Sequence, residues 1–416
     1  MSTMMDSSIE LLSPAGDRER LEAALQYGAD AVYLAGTSFG MRTACKNFDP
    51  DALRSAVARA HSLGKKVYVT CNTLPRNDEV EQLPAFLEMV DDVGADALIV
   101  ADIGLLPLVK RHAPHCAIHA STQLGVVNYA TASMLWDLGV SRVVLAREMS
   151  LEEIAALRAK TPKDLELEAF VHGAMCMAIS GRCMFSYYLA GRDAGRGDCS
   201  QPCRWGYEFV EPHRPDRVMY AEEHSKGAYL FNANDLNMLE HIPALVKAGV
   251  RSFKIEGRAK APYYVAVITN AYRQALDAFK ASGCAADFVP EPWILQEANK
   301  VSHRPYSTGF YFGQPTQNNA FGGYVRSYEV AAVVTDYRDG RLWLRQRNRF
   351  FEGETLDALI PGGKPQLIPA IDLRDENGSP IEATPHPDMV LSMACDHPLP
   401  SGSLLRRERA EDITTA

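Results

Sequence analysis

The amino-acid sequence predicts an α/β protein: a TIM-like (β/α) barrel with a cysteine-rich insertion, followed by a small C-terminal all-β barrel domain. Three observations lead to this prediction. Short, β-rich apolar runs alternate with amphipathic helical segments from residue 10 to about residue 160. Four cysteines cluster where this alternation stops, and after about residue 326 only short runs separated by turns remain. Strands that alternate with helices at this spacing are typical of βα units and a parallel sheet.

The candidate strands are bounded by Gly, Pro or Asp, and there is one more of them than an eight-stranded barrel needs. They cover Glu10–Ala15, Ala31–Ala35, Lys66–Cys71, Ala97–Ala101, Ala117–Ser121, Arg142–Ala146, Leu165–Val171, Tyr229–Asn232 and Arg251–Ile255. Asp49 before Pro50 predicts a helix start, because Asp caps helices and Pro suits their first position. A doubly wound sheet is the alternative, but no G-x-G-x-x-G motif follows the first strand. We therefore expect a barrel with one strand assignment wrong or extra.

The rest of the chain divides into further segments. Residues 172–228 interrupt the alternation and are rich in Gly, Arg, Cys and aromatic residues, and loops of this length are usually functional. Residues 285–325 contain Pro, Asn, Gly and aromatic residues and are expected to form a connector. Residues 326–410 carry short runs between Asp-Gly, Gly-Gly and Asn-Gly turns, which is typical of a small β-barrel. The barrel domain with its insertion is therefore expected to span residues 1–284.

Composition and charge restrict the class of protein. The chain has 416 residues and a net charge of −9, which disfavours non-specific binding of nucleic acid over its whole surface. Its start is polar, and no apolar run reaches the roughly 18 residues that a membrane-spanning helix needs. Most of the cysteines are dispersed, which suits a reducing compartment. We expect a cytoplasmic protein without a membrane partner, and its oligomeric state stays open.

The four clustered cysteines suggest a metal centre. Cys176, Cys183, Cys199 and Cys203 fall within 28 positions and are spaced C-x6-C-x15-C-x3-C. Four thiolates from one loop-rich segment can hold a tetrahedral metal ion or an iron–sulfur cluster. The spacing matches neither zinc knuckles nor the ferredoxin run, and scattered structural or redox-active thiols are the alternative. We expect the four sulfur atoms to converge at the barrel mouth, because a cluster used in chemistry must lie near the substrate.

Several motifs resemble those of the peptidase U32 family. The family signature combines a glutamate, a phenylalanine, a glycine, two cysteines six residues apart and a serine. These positions here are Glu168, Phe170, Gly173, Cys176, Cys183 and Ser186. Further matches are Glu10–Gly16, Tyr27–Tyr33, Lys254–Arg258 and His303–Phe310, so the resemblance covers nearly the whole chain. The ending that runs from Cys199 through Cys203 to Trp205 looks most like the subgroup that hydroxylates tRNA.

The resemblance implies an oxygen-independent RNA hydroxylase. Members of that subgroup form 5-hydroxyuridine at the wobble position of tRNA, carry a 4Fe-4S cluster on four cysteines, and depend on prephenate as co-substrate and implied oxygen donor. Sister branches act on ribosomal RNA or on a quinone precursor. By this resemblance the partners are tRNA and a small dicarboxylate, and the cluster ligands are Cys176, Cys183, Cys199 and Cys203.

Other candidate site residues follow from the barrel geometry, since barrel enzymes carry catalytic groups at the carboxyl ends of their strands. The candidates for catalysis are His172, Glu168 and Glu256. A dicarboxylate requires cationic partners, and arginine can bind carboxylates bidentately. The candidates for binding it are Arg42, Arg147, Arg258 and, in reserve, Lys254. An ion pair at the barrel rim is the alternative for each arginine, and a packed, semi-buried histidine is the alternative for His172.

An arginine-rich segment in the C-terminal domain suggests contact with RNA. If Arg341–Arg349 forms one strand, its arginines and Trp343 share one face while Leu342 and Leu344 face the core. The residues on that face are Arg341, Trp343, Arg345, Arg347 and Arg349. Arginines beside an aromatic residue suit single-stranded RNA through phosphate contact and stacking. A solvated strand face is the alternative.

A peptidase is the alternative function from another class. The chain has neither an H-E-x-x-H helix nor a G-x-S-x-G elbow. Ser13, Ser121 and Ser180 have no histidine partner at motif spacing, although catalytic triads are recognised in space rather than in sequence. A cysteine peptidase needs one activated thiolate rather than four clustered ones. A hydroxylase of ribosomal RNA or of a quinone precursor is the other alternative.

Overall fold

The computed structural model describes residues 9–41, 46–176, 185–193, 198–204, 233–316 and 324–409. These residues form one sheet of ten strands and a second sheet of seven. The strands of the first sheet are β1 (Glu10–Pro14), β2 (Ala31–Ala35), β3 (Lys66–Cys71), β4 (Ala97–Val100), β5 (Ala117–Ala120), β6 (Arg142–Val144), β7 (Glu166–Gly173), β8 (Asp235–Asn237), β9 (Ser252–Ile255) and β10 (Tyr306–Ser307). Among the described residues, no helix is both long and apolar enough to cross a membrane.

Eight of the ten strands close into a parallel barrel. β1 to β7 pair in chain order, and β9 completes the ring because it pairs with both β7 and β1. β8 lies outside the ring, where it pairs antiparallel with the end of β7 and in parallel with β10. The predicted TIM-like barrel is therefore confirmed. The ninth predicted run, Tyr229–Asn232, lies outside the described residues.

Helices follow most of the barrel strands. They are α1 (Arg18–Gln26), α2 (Pro50–Ser62), α3 (Asn77–Val80), α4 (Leu83–Asp92), α5 (Leu106–His112), α6 (Tyr129–Asp137), α7 (Leu151–Ala159), α8 (Phe185–Ala190), α9 (Ile242–Lys247), α10 (Pro262–Ala281) and α11 (Pro292–Glu297). Among them, α8 lies in the cysteine-bearing segment. The predicted start of α2 is confirmed: the Asp49 carboxylate accepts a hydrogen bond from the Ala52 N–H at 2.8 Å. The main apolar core lies between these helices and the outer faces of the strands.

The C-terminal domain is an antiparallel sheet curved around a second apolar core. Its strands are β11 (Tyr328–Arg338), β12 (Arg341–Gln346), β13 (Thr355–Leu359), β14 (Gln366–Pro369), β15 (Ile371–Asp375), β16 (Val390–Ala394) and β17 (Leu404–Glu408). They pair in the order β14-β13-β17-β11-β12-β16-β15. The described part of the domain is a half-barrel with β14 and β15 at its two ends, and the predicted small all-β domain is confirmed.

Buried ion pairs join the two domains. The Arg406 side chain is fully buried, and its Nη2 lies 2.7 Å from Glu297 Oε1 on α11 and 3.0 Å from Asp357 Oδ2 on β13. Lys300 contacts the same two carboxylates at 2.9 and 2.7 Å. The Tyr27 hydroxyl at the end of α1 bonds to carbonyl oxygens of the C-terminal domain. These contacts fix the half-barrel against the barrel.

We expect Arg406→Met to destabilise the full chain by about 3–5 kcal/mol, because two buried carboxylates would keep only Lys300 as a partner. Urea unfolding of the full chain measures this free energy. Arg407→Met is the matched control: Arg407 is 26% exposed and pairs with Glu329 and Glu354, so we expect a loss under about 1 kcal/mol. Equal losses in the two variants would contradict a special role for the buried pairs.

Candidate active site in the barrel

The barrel lumen contains a polar layer instead of the usual branched apolar side chains. Side chains from strands that are not neighbours touch one another there, which places them inside the ring. Arg142 on β6 lies 2.6 Å from Glu10 on β1, and the Tyr68 ring on β3 packs edge-on against His119 on β5, with ring centroids 4.7 Å apart. The lumen therefore holds ionisable groups at close range.

Glu168 on β7 lies at the centre of this charge network. Its carboxylate is 2.7 Å from Lys254 Nζ and 3.1 Å from Arg142 Nη1, and it accepts a hydrogen bond from the Ser252 hydroxyl at 3.0 Å. The same hydroxyl lies 3.0 Å from Glu10 Oε1. Both partner cations are also buried, so Glu168 and its two cationic partners lie out of contact with bulk water.

The charge network sets the protonation of its members. Burial alone raises the pKa of Glu168, but the positive charges of Lys254 and Arg142 outweigh it and lower that pKa to about 2. Burial lowers the pKa of Lys254, and the attraction of Glu168 opposes this shift. Burial, with Arg142 nearby, lowers the pKa of His119 well below its usual range. Near neutral pH we therefore take Glu168 as ionised and His119 as neutral.

Two of the predicted arginines lie at the carboxyl ends of the strands, which form the barrel mouth. Arg147 follows β6, donates to the Ala174 carbonyl at 2.8 Å, and stacks on Phe170 with 4.3 Å between its guanidinium carbon and the ring centroid. Lys254 Nζ lies 5.5 Å from the same ring. Arg258 follows β9 and reaches past β1 and β2 to donate to the Thr70 hydroxyl on β3 at 3.1 Å. Arg42 lies outside the described residues.

Glu256 lies where the cysteine-bearing segment leaves the barrel. It follows β9 directly, and its backbone N–H donates to the His172 carbonyl at 2.8 Å. Gly173 has a φ of +110°, and a Cβ atom there would lie 2.5 Å from the Glu256 carbonyl oxygen. Only glycine permits this close approach. The end of β9 and the start of the cysteine-bearing segment are therefore held together at the mouth.

His172 does not face the lumen. The pairing between β7 and β9 shifts register between Phe170 and His172, and a bulge of this kind reverses the alternation of faces. The His172 ring packs against Tyr272 of α10 and against Tyr306, with centroids 5.6 and 5.3 Å apart. Burial lowers the pKa of His172 to about 3. This packing favours a buried histidine over the proton-shuttle role, which stays a prediction.

Three of the four clustered cysteines are described. Cys176 is exposed, and Cys199 and Cys203 are half-buried. Cys183 lies outside the described residues. Among the described side chains, no group of three or more His, Cys, Asp or Glu residues is arranged to hold a metal ion. The donor set suits an iron–sulfur cluster, since its ligands are thiolates. The convergence of all four sulfur atoms stays a prediction.

Two tyrosines of α8 were not predicted as site residues. Tyr187 and Tyr188 are 54% and 76% exposed, within the segment that carries the cysteines. The buried Ser186 side chain ties α8 to the second cysteine pair, because its hydroxyl accepts a hydrogen bond from the Ser200 N–H at 3.0 Å. Exposed aromatic side chains are suited to stacking on unpaired bases. Their signal in the sequence was the pair of adjacent tyrosines between cysteines.

The arginine-rich segment of the C-terminal domain alternates as expected within β12. Leu342 and Leu344 are fully buried, whereas Arg345 is exposed. β12 ends at Gln346, so Arg347 and Arg349 follow the strand instead of belonging to it. The partners of these side chains are Asp372 for Arg341, the Arg338 guanidinium for Trp343, Asp388 for Arg345 and Arg347, and the Phe351 ring for Arg349.

Sequence reasoning missed Glu10, Arg142, Tyr68 and Ser252, which complete the charge network around Glu168. Each begins or interrupts an apolar strand run. Glu166 and Glu168, like Ser252 and Lys254, are spaced by two residues, and that spacing puts polar side chains on one face of a strand. Polar residues two positions apart within an apolar strand run were the pattern that could have revealed this network.

Comparison with known proteins gives consistent matches over nearly the whole chain. The sequence profile of peptidase family U32 matches residues 16–320, and that of the U32 C-terminal domain matches residues 326–406. "tRNA hydroxylation protein P1" of Bacillus subtilis is 34% identical over 96% of this chain and 94% of its own. "23S rRNA 5-hydroxycytidine C2501 synthase" of Escherichia coli is 42% identical over 66% of this chain and 40% of its own. "Collagenase" of Porphyromonas gingivalis is 30% identical over 74% of each chain.

Proposed function

This chain belongs to peptidase family U32, and on that premise we propose that it hydroxylates tRNA at the wobble uridine to form 5-hydroxyuridine. The observation that carries the proposal is the near-complete match, in both domains, to a relative named for tRNA hydroxylation. The ribosomal RNA enzyme matches only 40% of its own length, which favours tRNA as the substrate. The cationic side chains at the barrel mouth support an RNA substrate and an anionic co-substrate.

The co-substrate in this proposal is a small dicarboxylate, with prephenate as the expected compound. Arg147 and Arg258 would bind its carboxylates, since both guanidinium groups lie at the mouth. Lys254, the reserve candidate, lies deeper and is ion-paired with Glu168 at 2.7 Å. The target uridine would be flipped out of its stack to reach the mouth, as base-modifying enzymes require. Tyr187 and Tyr188 would stack on the neighbouring bases.

Cys176, Cys183, Cys199 and Cys203 would hold a 4Fe-4S cluster in this proposal. When bound, such a cluster supplies redox and Lewis-acid chemistry beside the substrate. The contribution of the chain itself is to position the reactants. Gly173 lets the cysteine-bearing segment approach the end of β9, and Glu256 lies at that junction.

The peptidase alternative finds little support in the described serines. Ser13 faces outward from the barrel, where its hydroxyl bonds to Thr269 on α10 at 2.9 Å. The Ser121 hydroxyl caps a turn by accepting a hydrogen bond from the Gln123 N–H. Ser180 lies outside the described residues. Both described hydroxyls therefore have structural partners.

Nucleoside mass spectrometry of tRNA from a strain lacking this protein tests the proposal. We expect 5-hydroxyuridine to disappear and to return when the wild-type chain is expressed. Loss of 5-hydroxycytidine from ribosomal RNA with tRNA unchanged would favour the ribosomal alternative. Unchanged nucleosides together with protein-hydrolysing activity of the pure chain would favour the peptidase.

We expect Arg147→Ala to reduce kcat/KM for the dicarboxylate by roughly 10- to 100-fold, the loss of one charge-assisted contact. The KM for tRNA should stay unchanged. Arg147→Lys should recover only part of the loss, because lysine keeps the charge but not the bidentate geometry. Arg374→Ala, an exposed arginine of the C-terminal domain, is the control. Steady-state kinetics with each substrate varied separately measures these effects. A rise in the KM for tRNA alone would contradict the assignment of Arg147 to the dicarboxylate.

A further inference from the structure

A cavity of about 790 Å³ lies between the barrel and the C-terminal half-barrel. Its volume falls within the range of sites that bind small molecules, roughly 300–1,000 Å³. One wall comes from α1 and from the start of α10, and the other from β11, from the end of β12 and from the loop before β17. We infer that this cavity is a second RNA subsite, which takes one unpaired nucleotide next to the modified one. The inference rests on the proposed function.

The lining matches a nucleotide in its chemistry. Arginines outnumber carboxylates on it: Arg18, Arg345 and Arg347 face Glu19 and Glu22. Both carboxylates already contact an arginine, since Glu22 lies 3.0 Å from Arg59 and Glu19 lies 3.6 Å from Arg347. Arg345 and Arg347 contact the same Asp388 oxygen, at 3.0 and 3.4 Å, so two exposed guanidinium groups share one carboxylate and keep further N–H donors for a phosphate group.

The floor of the cavity is apolar and aromatic. Val333 and Leu404 come from the half-barrel, and Ala23, Tyr27 and Tyr263 come from the barrel. The hydroxyl groups of both tyrosines are bonded to backbone carbonyls, with Tyr27 O–H donating to the Gly402 carbonyl at 3.0 Å and Tyr263 O–H to the Lys300 carbonyl at 2.8 Å. These bonds hold the rings in place. Tyr27 is only 1% exposed and supports the floor from within, so the aromatic surface that a base can contact is the half-buried Tyr263 ring.

The position of the cavity relative to the barrel mouth also fits RNA. Arg18 begins α1, which follows β1, and Ala261 precedes α10, which follows β9. β1 and β9 are neighbours in the ring, so the cavity adjoins the mouth across the loops that follow them. The Arg20 side chain joins these loops by bonding to Asp17 and to the Lys260 carbonyl. A strand of RNA with its target base in the mouth can therefore reach the cavity with a neighbouring nucleotide.

Filling the cavity tests the inference. The indole ring introduced by Val333→Trp would fill the floor of the cavity from the half-barrel side. We expect this variant to bind tRNA roughly 10- to 100-fold more weakly, which corresponds to the stacking free energy of one base. Neutralising two rim arginines, Arg18→Gln with Arg345→Gln, should weaken binding and flatten its salt dependence by about 1.4 in log–log slope, as expected for two phosphate contacts on a single strand. Arg374→Gln is the matched control, an arginine of similar exposure away from the cavity.

Fluorescence anisotropy of labelled tRNA with the full chain, over a range of salt, measures both effects, and prephenate binding is measured in parallel. Weaker tRNA binding with unchanged prephenate binding supports the inference. Unchanged tRNA affinity and salt slope in the double arginine variant overturn it, even where tRNA hydroxylation itself is established. Loss of prephenate or inorganic phosphate binding alone would also overturn it and assign the cavity to a small anion. Since the arginine variants leave the core intact, they decide the question if Val333→Trp fails to fold.

Discussion

Replacing Cys199 by serine is expected to reduce tRNA hydroxylation to background. A thiolate is required to bind iron in a cluster of this kind, and a serine hydroxyl is a poor substitute. Cys176→Ser and Cys203→Ser should have the same effect. Anaerobically purified wild-type protein should be brown and absorb near about 400 nm, and the variants should lose this absorbance together with their activity. Nucleoside mass spectrometry measures tRNA hydroxylation, and the absorption spectrum measures the cluster independently.

Cys284→Ser is the matched control for the cysteine variants. Cys284 is also half-buried, but it follows α10 and does not belong to the clustered segment of the sequence. We expect it to keep the absorbance and the activity. Full hydroxylation by Cys199→Ser would refute a cluster that is needed for chemistry. Loss of absorbance with activity retained would leave the cluster a structural role only.

Replacing Glu168 by glutamine is expected to destabilise the chain by about 3–5 kcal/mol near neutral pH. The substitution removes the carboxylate that neutralises Lys254 and Arg142, and these two cations would then be buried with less compensation. Lys254→Met should cost less, because Glu168 would still contact Arg142. In the double variant Glu168→Gln/Lys254→Met the loss should be smaller than the sum of the single losses, since the interaction is shared. Denaturant unfolding of all three variants measures this coupling.

The same carboxylate should make stability depend on pH in the acid range. The pKa of Glu168 in the folded protein is about 2, below its ordinary value of 4.5, so its ionised form stabilises the fold. That contribution is present above the ordinary value and is lost as pH falls through about 2; it amounts to about 3 kcal/mol. Glu168→Gln should lack this part of the acid dependence. An identical pH profile in wild type and variant would show that the network does not hold Glu168 ionised.

Local patterns were enough to predict the framework. Eight of the nine apolar runs became the barrel strands, and Asp49 and Pro50 marked the start of α2. The alternation in β12 was also predictable, with Leu342 and Leu344 buried. These features depend on the periodicity of side chains along one element and on local hydrogen bonds, so a short stretch of sequence contains them.

The site depends on contacts between distant parts of the chain. Glu10 and Arg142 are 132 positions apart, and they meet only because the barrel closes. The bulge that turns His172 away from the lumen arises from the pairing of β7 with β9, which no local pattern in β7 reveals. The cavity beneath Arg345 exists only because the half-barrel docks against α1 and α10. The sequence by itself determined the strands, the helix starts and the clustered cysteines, whereas the tertiary structure decided which charges meet, since pairing across a closed ring is a property of the whole fold.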